Sequence, residues 1–267
     1  MTDLEKLLKW FDDKEKVLIS LSGGVDSALV AYAAEKVLGK NAIAVTADYK
    51  TLSSEELDSA KNIAQEIGIT HKTITYNELD NDDFVKNDEK RCFYCRDEQS
   101  KKLLELGALL EIQTIVDGTH TDDLGDYRPG IDALHQNGIR SPLLETKFTK
   151  DLVRKCAKSI GLSIFDKPSN SCLASRIPWG QRVTAEKLAR IEMGEKIIKQ
   201  KTGIHQVRVR DIDGTARIEV ETNKIDLLNN DIIKNEIFSK LKMIGFSKIE
   251  IDPNGYVSGK LNVIFEN

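Results

Sequence analysis

Ser22-Gly23-Gly24-Val25-Asp26-Ser27 stands between a short apolar run at 16–21 and a helical pattern at 26–38. Two adjacent glycines let the backbone turn tightly and bring its N–H groups close to a ligand. The following helix directs the positive end of its dipole at the same point. The segment therefore predicts an anion site between a strand and a helix, to which the hydroxyls of Ser22 and Ser27 add donors.

The alternation of strands and helices continues beyond this loop. Further strands are predicted at 41–47, 71–75 and 113–117, and further helices at 54–67, 95–106 and 149–160. This rhythm predicts an α/β fold, with a parallel sheet covered by helices on both faces. Ligands of such sheets lie at the carboxyl ends of the strands. Ser54 is the predicted N-cap of its helix and Thr149 that of the last one.

Two irregular stretches, at 119–142 and 167–181, interrupt the pattern, and loops of such length are uncommon without a function. After Arg182 the chain changes character. The predicted elements are a helix at 184–201, strands at 205–210 and 216–221 that form a hairpin around Asp213-Gly214, a helix at 231–244 and two short strands. We predict a first domain over 1–180 and a smaller α+β domain over 181–267.

Composition limits the function classes. The 267 residues are 40% apolar and 31% charged, and no apolar run reaches the length of a membrane span. The N-terminus has no signal-peptide core, so we expect a cytoplasmic protein without a membrane partner. The net charge of −4 argues against a protein whose main task is to grip a nucleic-acid backbone.

The four cysteines fall into two groups. In a reducing compartment, clustered cysteines indicate metal or redox chemistry rather than disulfides. Cys92 and Cys95 form a CxxC, and with Cys172 they make a three-thiolate set. Three thiolates suit a four-iron cluster with one open iron, whereas a structural zinc site would need four ligands. Three unrelated cysteines are the alternative. Cys156 lies at helical spacing among apolar residues and is predicted to be core.

The SGGxDS pattern resembles the signature of the PP-loop ATP pyrophosphatases. In that superfamily the loop holds pyrophosphate, and ATP is split to AMP and pyrophosphate. A P-loop of the G-x-x-x-x-G-K type would need a lysine that this loop lacks. The resemblance implies that Asp26 helps to hold Mg²⁺ on the phosphates and that Asp48 borders the base and ribose. A glycine-rich turn without a ligand is the alternative.

Further polar residues follow the fourth predicted strand. The segment 118–130 carries acidic residues to the carboxyl edge of the sheet, and its Arg128 is suited to a phosphate or carboxylate. A solvated acidic loop is the alternative, and His120 is predicted to be a hydrogen-bonding loop residue rather than a base. In the later hairpin, Arg208 and Arg210 share one strand face, which predicts either an anion site or a solvated face.

A more specific resemblance covers almost the whole chain. SGGVDS, RCFYC, GTHTDDLGDYRPG, SPLLETKFTKDLVR, SCLASRIPWG and the VRVR-to-ARIEV hairpin resemble the LarE family in this order. The resemblance implies a PP-loop ATP pyrophosphatase domain, of the adenine nucleotide alpha hydrolase-like fold, with a C-terminal domain for substrate binding and oligomerisation. It also implies homo-oligomers. His120 stands where the family pattern has Asn.

The resemblance implies ATP and Mg²⁺ as cofactors and pyridinium biscarboxylate mononucleotide as substrate. ATP adenylylates a substrate carboxylate, and sulfur then displaces AMP, in the synthesis of the nickel-pincer nucleotide cofactor. Arg208 and Arg210 would bind the substrate phosphate. Cys172 matches the cysteine that gives up its own sulfur in one branch. Together, Cys92, Cys95 and Cys172 match a second branch, in which a [4Fe-4S] cluster passes on sulfide from an external source.

Two hypotheses from other functional classes remain open on the sequence alone. A tRNA-thiolating enzyme would also use a PP-loop, three cysteines and a cluster, and salt-sensitive tRNA binding would identify it. A regulatory nucleotide-binding module would release no pyrophosphate when substrate is added. The acidic total charge disfavours the first reading, and the polar loops with their cysteines disfavour the second.

Overall fold

The computed structural model describes residues 1–125, 129–168 and 170–257, and the chain forms two compact units. The N-terminal unit comprises Met1–Glu78 and Lys90–Asn170, and the C-terminal unit comprises Leu79–Glu89 and Ser171–Asn267. The chain thus enters the C-terminal unit briefly at 79–89 and returns. The compact division falls at 170/171, whereas the predicted functional boundary at 180/181 stays a prediction.

The secondary structure alternates through most of the described chain. The helices are α1 Asp3–Lys9, α2 Val25–Leu38, α3 Ser54–Ile67, α4 Asp82–Val85, α5 Arg91–Leu109, α6 Pro129–Gln136, α7 Pro142–Glu145, α8 Lys150–Ser159, α9 Ala185–Thr202, α10 Ile225–Asn229 and α11 Asp231–Met243. The strands are β1 Val17–Ser20, β2 Ala42–Asp48, β3 Thr70–Thr75, β4 Thr114–Val116, β5 Val207–Ile212, β6 Thr215–Val220 and β7 Lys248–Ile251. Short 3₁₀ turns include Glu78–Asp80, Thr121–Gly125 and Leu173–Arg176.

The N-terminal unit is built on a parallel sheet in the order β3-β2-β1-β4. β1 is buried on both faces, because Val17 and Ile19 join one apolar cluster while Leu18 joins another. The first cluster also holds residues of α2, α3 and α8, and the second holds Leu103 of α5. Since alternate strand residues point to opposite faces, helices cover both sides of the sheet. The predicted α/β fold is confirmed.

The C-terminal unit has a three-stranded sheet in the order β5-β6-β7. β5 and β6 pair antiparallel around Asp213 and Gly214, whose φ values of 47° and 82° suit a tight hairpin turn. β7 pairs parallel to β6. Apolar residues of α9, α10 and α11 pack with these strands in one core. The predicted hairpin is therefore confirmed.

Three local predictions are wrong. Ser53 rather than Ser54 caps α3, since its side chain accepts the N–H of Glu56. Helix α5 begins at Arg91 rather than at the predicted Cys95, so the whole CxxC lies inside the helix. The stretch 119–142 contains a 3₁₀ turn and α6, because Pro129 occupies a first helical turn where its missing N–H costs nothing. Of the two final strands predicted, β7 is described, and residues 258–267 lie outside the described part.

Two further features of the described residues complete the fold. Cys156 is buried in the core of the N-terminal unit, as predicted, and burial raises the pKa of its thiol. In the described ranges, every helix is too short or too polar to cross a membrane.

Candidate functional site

The loop between β1 and α2 is closed by its own hydroxyls. Ser27 Oγ accepts a hydrogen bond from the backbone N–H of Ser22 at 3.1 Å and donates to the carbonyl of Gly24 at 3.2 Å. The two hydroxyl oxygens of Ser22 and Ser27 lie 3.1 Å apart. Gly24 caps α2, which is 14 residues long, so the positive end of the helix faces this loop. The segment has the strand–loop–helix geometry that the sequence predicts.

Two glycines of this region are required by close packing. Gly23 has a φ of 78°, and a Cβ there would lie 2.8 Å from the Glu56 carbonyl oxygen. At Gly118, just after β4, a Cβ would lie 2.6 Å from the backbone nitrogen of Ser27. Both distances are far below ordinary contact, so the backbone of α3 and the end of β4 press directly on the loop. Sequence reasoning explained Gly23 but missed the role of Gly118.

Asp26 sits at the second position of α2, where it is flanked by two basic side chains. Lys150 donates from Nζ to Asp26 Oδ2 at 2.5 Å, and His120 Nε2 lies 3.7 Å from Asp26 Oδ1. Oδ1 is buried and has no hydrogen-bond donor among the described residues. An open carboxylate oxygen beside a helix N-terminus fits a hard cation that bridges to phosphate oxygens. Lys150 was not singled out from the sequence, although it follows the predicted cap Thr149.

The loop after β4 is held by its acidic residues. Asp122 accepts the backbone N–H of Lys150 at 3.0 Å, and this bond lowers the pKa of the Asp122 carboxyl. Asp123 is buried and accepts the backbone N–H of His120 at 3.0 Å. His120 is thus anchored through its backbone, and its Nδ1 lies 3.5 Å from Asp123 Oδ2, while the role of the His120 side chain stays a prediction. Arg128, the predicted anion-binding residue of this loop, lies outside the described residues.

The end of β2 is organised by a buried carboxylate that the sequence did not reveal. Asp48 is the last residue of β2 and is half-buried. Glu78 is fully buried and accepts the backbone N–H groups of Lys50 at 3.0 Å and Thr51 at 2.6 Å. The Glu78 side chain thereby fixes the loop after β2, at the carboxyl edge of the sheet where nucleotide ligands of this architecture lie.

Cys92 and Cys95 lie in the first turns of α5, and both are half-buried. Their spacing of three residues places them on one helix face, where both thiols can reach one ligand. Helix α6 packs closely on this turn, since a Cβ at Gly130 would lie 2.8 Å from Cγ of Arg96. In the part of the chain that the structure describes, no set of three His, Cys, Asp or Glu side chains forms a metal site.

Cys172 belongs to the C-terminal unit, where it precedes the 3₁₀ turn Leu173–Arg176 and is half-buried. Arg176, which is 1% exposed, binds the carboxylate of Glu195 through Nε at 2.8 Å and Nη2 at 3.2 Å. Its Nη1 donates to the carbonyl oxygens of Ser171 and Cys172 at 2.5 and 3.0 Å. This buried guanidinium shapes the cysteine loop, and sequence reasoning missed it because its partner lies 19 residues away.

Arg176, Arg208 and Arg210 form what we call the arginine cluster of the C-terminal unit. Arg210 donates to Glu219 Oε2 at 2.8 and 2.9 Å and to the Ser175 carbonyl at 2.8 Å. Arg208 is 4% exposed, and its Nε is buried without an acceptor among the described residues. Burial, and then the charge of Arg176, lower the pKa of Arg208. Because Arg208 and Arg210 are both buried, they do not form a solvated face of the strand.

The structure thus brings the predicted residues together in separate groups. Around α2 lie Ser22, Gly23, Gly24, Asp26 and Ser27, with Lys150 and His120 added by the tertiary structure. Cys92 and Cys95 stay one turn apart on α5, and Cys172 accompanies the arginine cluster in its own unit. The first group offers backbone donors and a carboxylate for phosphates, and the cluster offers cationic donors for an anion.

Comparison with known proteins adds a family match and full-length relatives. The NAD synthase family matches residues 4–98, which include the loop and α2. An uncharacterised Synechocystis protein, slr1717, is 42% identical over 97% of this chain and 96% of its own length. The pyridinium-3,5-bisthiocarboxylic acid mononucleotide synthase of Lactiplantibacillus plantarum is 32% identical over 94% of this chain and 90% of its own length.

A shorter similarity is confined to one part of the chain. The NH(3)-dependent NAD(+) synthetase of Fusobacterium nucleatum is 38% identical over 76 residues, or 28% of this chain. A limited region, which the family match places at residues 4–98, is therefore shared with a wider group of proteins, whereas the full-length similarity extends through the cysteine loop and the arginine cluster.

Proposed function

The chain belongs to the LarE family of sulfur-transferring PP-loop enzymes, and from that membership we propose that it inserts sulfur into pyridinium biscarboxylate mononucleotide at the expense of ATP. The proposed product is a thiocarboxylate in the synthesis of the nickel-pincer nucleotide. The observation that carries the proposal is the loop at α2, with an open Asp26 oxygen, in a chain that matches the Lactiplantibacillus synthase over nearly its full length.

The first proposed step activates the substrate carboxylate. A carboxylate oxygen attacks the α-phosphorus of ATP, forming an acyl adenylate and releasing pyrophosphate. Backbone N–H groups of the loop and the N-terminus of α2 stabilise the departing pyrophosphate, because fixed donors need no reorganisation. The open Oδ1 of Asp26 fits Mg²⁺, which when bound would neutralise charge on the phosphates. Lys150 sits close enough to Asp26 to share that role. Asp48 borders the nucleoside in this proposal.

The second proposed step transfers sulfur. Sulfide attacks the carbonyl carbon of the acyl adenylate, the bond to the AMP oxygen breaks, and AMP leaves with the bonding electrons. A [4Fe-4S] cluster on Cys92, Cys95 and Cys172 would supply that sulfide, taken from an external source. Cys92 and Cys95 fit two ligands, because they share one face of α5 and are half-buried. The third ligand, Cys172, is proposed from the resemblance.

A second candidate mechanism rests on Cys172 alone. Its thiolate would attack the acyl adenylate and displace AMP, giving a thioester. Loss of the Cα proton and cleavage of the Cβ–S bond would then release the thiocarboxylate and leave dehydroalanine. The observation in its favour is that Arg176 Nη1 at 3.0 Å and Ser175 Oγ at 2.7 Å both donate to the Cys172 carbonyl, so the backbone that carries this thiol is held in place.

The substrate phosphate is assigned to Arg208 and Arg210. Arg208 keeps a buried donor without an acceptor among the described residues, so an anion would satisfy it. Arg210 also donates to Glu219, which holds its guanidinium in one orientation, so Arg210 would orient the phosphate as well as attract it. We further propose substrate binding and oligomerisation by 181–267, ATP chemistry by 1–180, and a homo-oligomer at work in the cytoplasm.

The deciding experiment is a turnover assay under anaerobic conditions with ATP, Mg²⁺, sulfide and the mononucleotide. We expect pyrophosphate release and a thiocarboxylate product over many turnovers, with iron bound to the protein. Cys92→Ser should lose iron and repeated turnover, whereas the control Cys156→Ala, in the core, should keep both. An iron-free enzyme that makes one product and loses one sulfur from Cys172 would favour the second mechanism. Salt-sensitive tRNA binding without this product would contradict both.

A further inference from the structure

Lys167 contacts the loop at 22–27, which we call the phosphate loop, yet no motif of the sequence accounts for this lysine. Its Nζ donates to the Gly23 carbonyl at 3.0 Å, to Glu56 Oε2 at 2.9 Å and to Ser59 Oγ at 2.8 Å. An ammonium has three protons to donate, so these three acceptors use all of them. The Lys167 side chain is 22% exposed and that of Glu56 14%. The group is thus largely sheltered within the N-terminal unit.

The Gly23 carbonyl receives a second donor from the same group. Ser59 Oγ donates to it at 3.2 Å, so the hydroxyl accepts from Lys167 and donates to the loop. Two hydrogen bonds therefore fix the direction of this one carbonyl. Both donors come from residues distant in sequence, at 59 and 167, which meet the loop only in the folded unit.

Fixing a carbonyl also fixes the N–H of the next residue. The Gly23–Gly24 peptide is trans, and in a planar trans peptide the C=O and N–H point in opposite directions. With the carbonyl held on the side of α3 and Lys167, the Gly24 N–H points to the opposite side. Gly24 is the N-cap of α2, where N–H groups face a bound anion.

This peptide needs such a restraint because two glycines flank it. Gly23 adopts a φ of 78°, and glycine reaches many backbone conformations at little cost. Glu56 balances the charge of Lys167 at 2.9 Å, so the ammonium is engaged in holding the loop rather than open to a phosphate. The position and the hydrogen-bond partners of Lys167 therefore fit a residue that orients the loop better than a residue that contacts the ligand.

We propose that Lys167 is a positioning residue that sets the Gly23–Gly24 peptide so that the Gly24 N–H binds the pyrophosphate portion of ATP. The inference rests on the proposed ATP cleavage and adds a residue to it. Lys167 acts through the loop, so its loss should weaken recognition of pyrophosphate more than recognition of AMP, which has no pyrophosphate group.

The test is calorimetric binding of Mg-pyrophosphate and of AMP to the full chain. In Lys167→Met, which keeps the aliphatic stem, we expect pyrophosphate affinity to fall about 10–100-fold, comparable to removal of one fixed donor from an anion site. AMP affinity should stay at its original value. Lys155→Met, at an exposed position on α8, is the matched control and should change neither affinity.

A second variant gives an internal check. Ser59→Ala removes the other donor to the same carbonyl, so we expect a smaller loss of pyrophosphate affinity. Combined with Lys167→Met the losses should be non-additive, because both residues act on one peptide. If Lys167→Met does not fold, the selective loss in Ser59→Ala decides the question.

The outcomes separate the two levels of the proposal. Wild-type protein that binds no pyrophosphate would contradict the proposed function. Wild-type protein that binds it, with Lys167→Met unchanged or with equal losses for AMP and pyrophosphate, would overturn the role of Lys167 alone. Strictly additive effects of the two variants would also overturn it.

Discussion

The phosphate loop of the N-terminal unit and the arginine cluster of the C-terminal unit both offer donors to an anion, but they are built differently. The loop uses backbone N–H groups, and its conspicuous residues are small. The cluster uses long cationic side chains buried against Glu195 and Glu219. An anion site made of backbone N–H groups can therefore be predicted from the local sequence. The function of a buried arginine cannot, because it depends on partners that only the folded chain brings near.

The comparison predicts that the arginine cluster is the more fragile of the two. Arg176→Met would leave Glu195 as a buried charge without its partner and would strip donors from the Ser171 and Cys172 carbonyls. We expect a loss of about 3–5 kcal/mol in the free energy of unfolding, measured by urea denaturation. Arg182→Met, in an exposed pair with Asp82, should cost about 0–1 kcal/mol. Equal losses of stability in the two variants would contradict the expectation that the buried ion pair is the more important one.

The phosphate loop should instead respond to added atoms. Gly23→Ala places a Cβ 2.8 Å from the Glu56 carbonyl at a φ of 78°, so the loop must move. We expect pyrophosphate release to fall about 100-fold or more, as for loss of preorganised donors. Gly24→Ala is the matched control for backbone strain, since the atom nearest to an added Cβ would be Ser22 Oγ at 3.5 Å. It should preserve the melting temperature, and a fully active Gly23→Ala enzyme would refute the close-packing argument.

A substitution of Glu78 tests whether this one buried carboxylate holds the loop after β2 in place. Glu78→Gln turns a charged acceptor of two N–H groups into a neutral amide, one end of which is a donor facing donors. A loss of about 1–3 kcal/mol in stability is expected, with weaker ATP binding by calorimetry. Glu15→Gln, at an exposed position, should leave both measurements unchanged. Unchanged ATP affinity in Glu78→Gln would place the loop after β2 away from the nucleotide.

The smallest expected effect concerns acid stability. The bond from the Lys150 N–H lowers the pKa of Asp122 in the folded chain, so the unfolded chain binds its proton first as the pH falls. This stabilisation is present above the ordinary carboxyl pKa and is lost as the pH falls through the lowered one. Asp122→Asn should therefore flatten the acid limb of melting temperature against pH slightly. Asp132→Asn, also exposed, serves as control, and an identical limb in Asp122→Asn would contradict the assignment.

The sequence predicted the fold well where signals are local. Strand–helix alternation predicted the parallel sheet, and Asp213-Gly214 predicted the hairpin, because turn and burial patterns act over a few residues. It misplaced the start of α5 by four residues, because the cap position is Lys90, whose side chain makes no capping hydrogen bond and therefore gives no local signal of a helix start. It also read 119–142 as irregular and missed α6 within it.

The sequence by itself determined the backbone features: a glycine loop before a helix, a CxxC and a strand pair that carries two arginines. Only the tertiary structure decided which side chains complete them. Lys150 reaches Asp26 from 124 residues away, Lys167 reaches Gly23 from 144, and Glu78 reaches Thr51 from 27. The physical reason is that backbone geometry is set by nearby residues, whereas a charged side chain takes its role from whichever buried partner the fold brings within hydrogen-bonding distance.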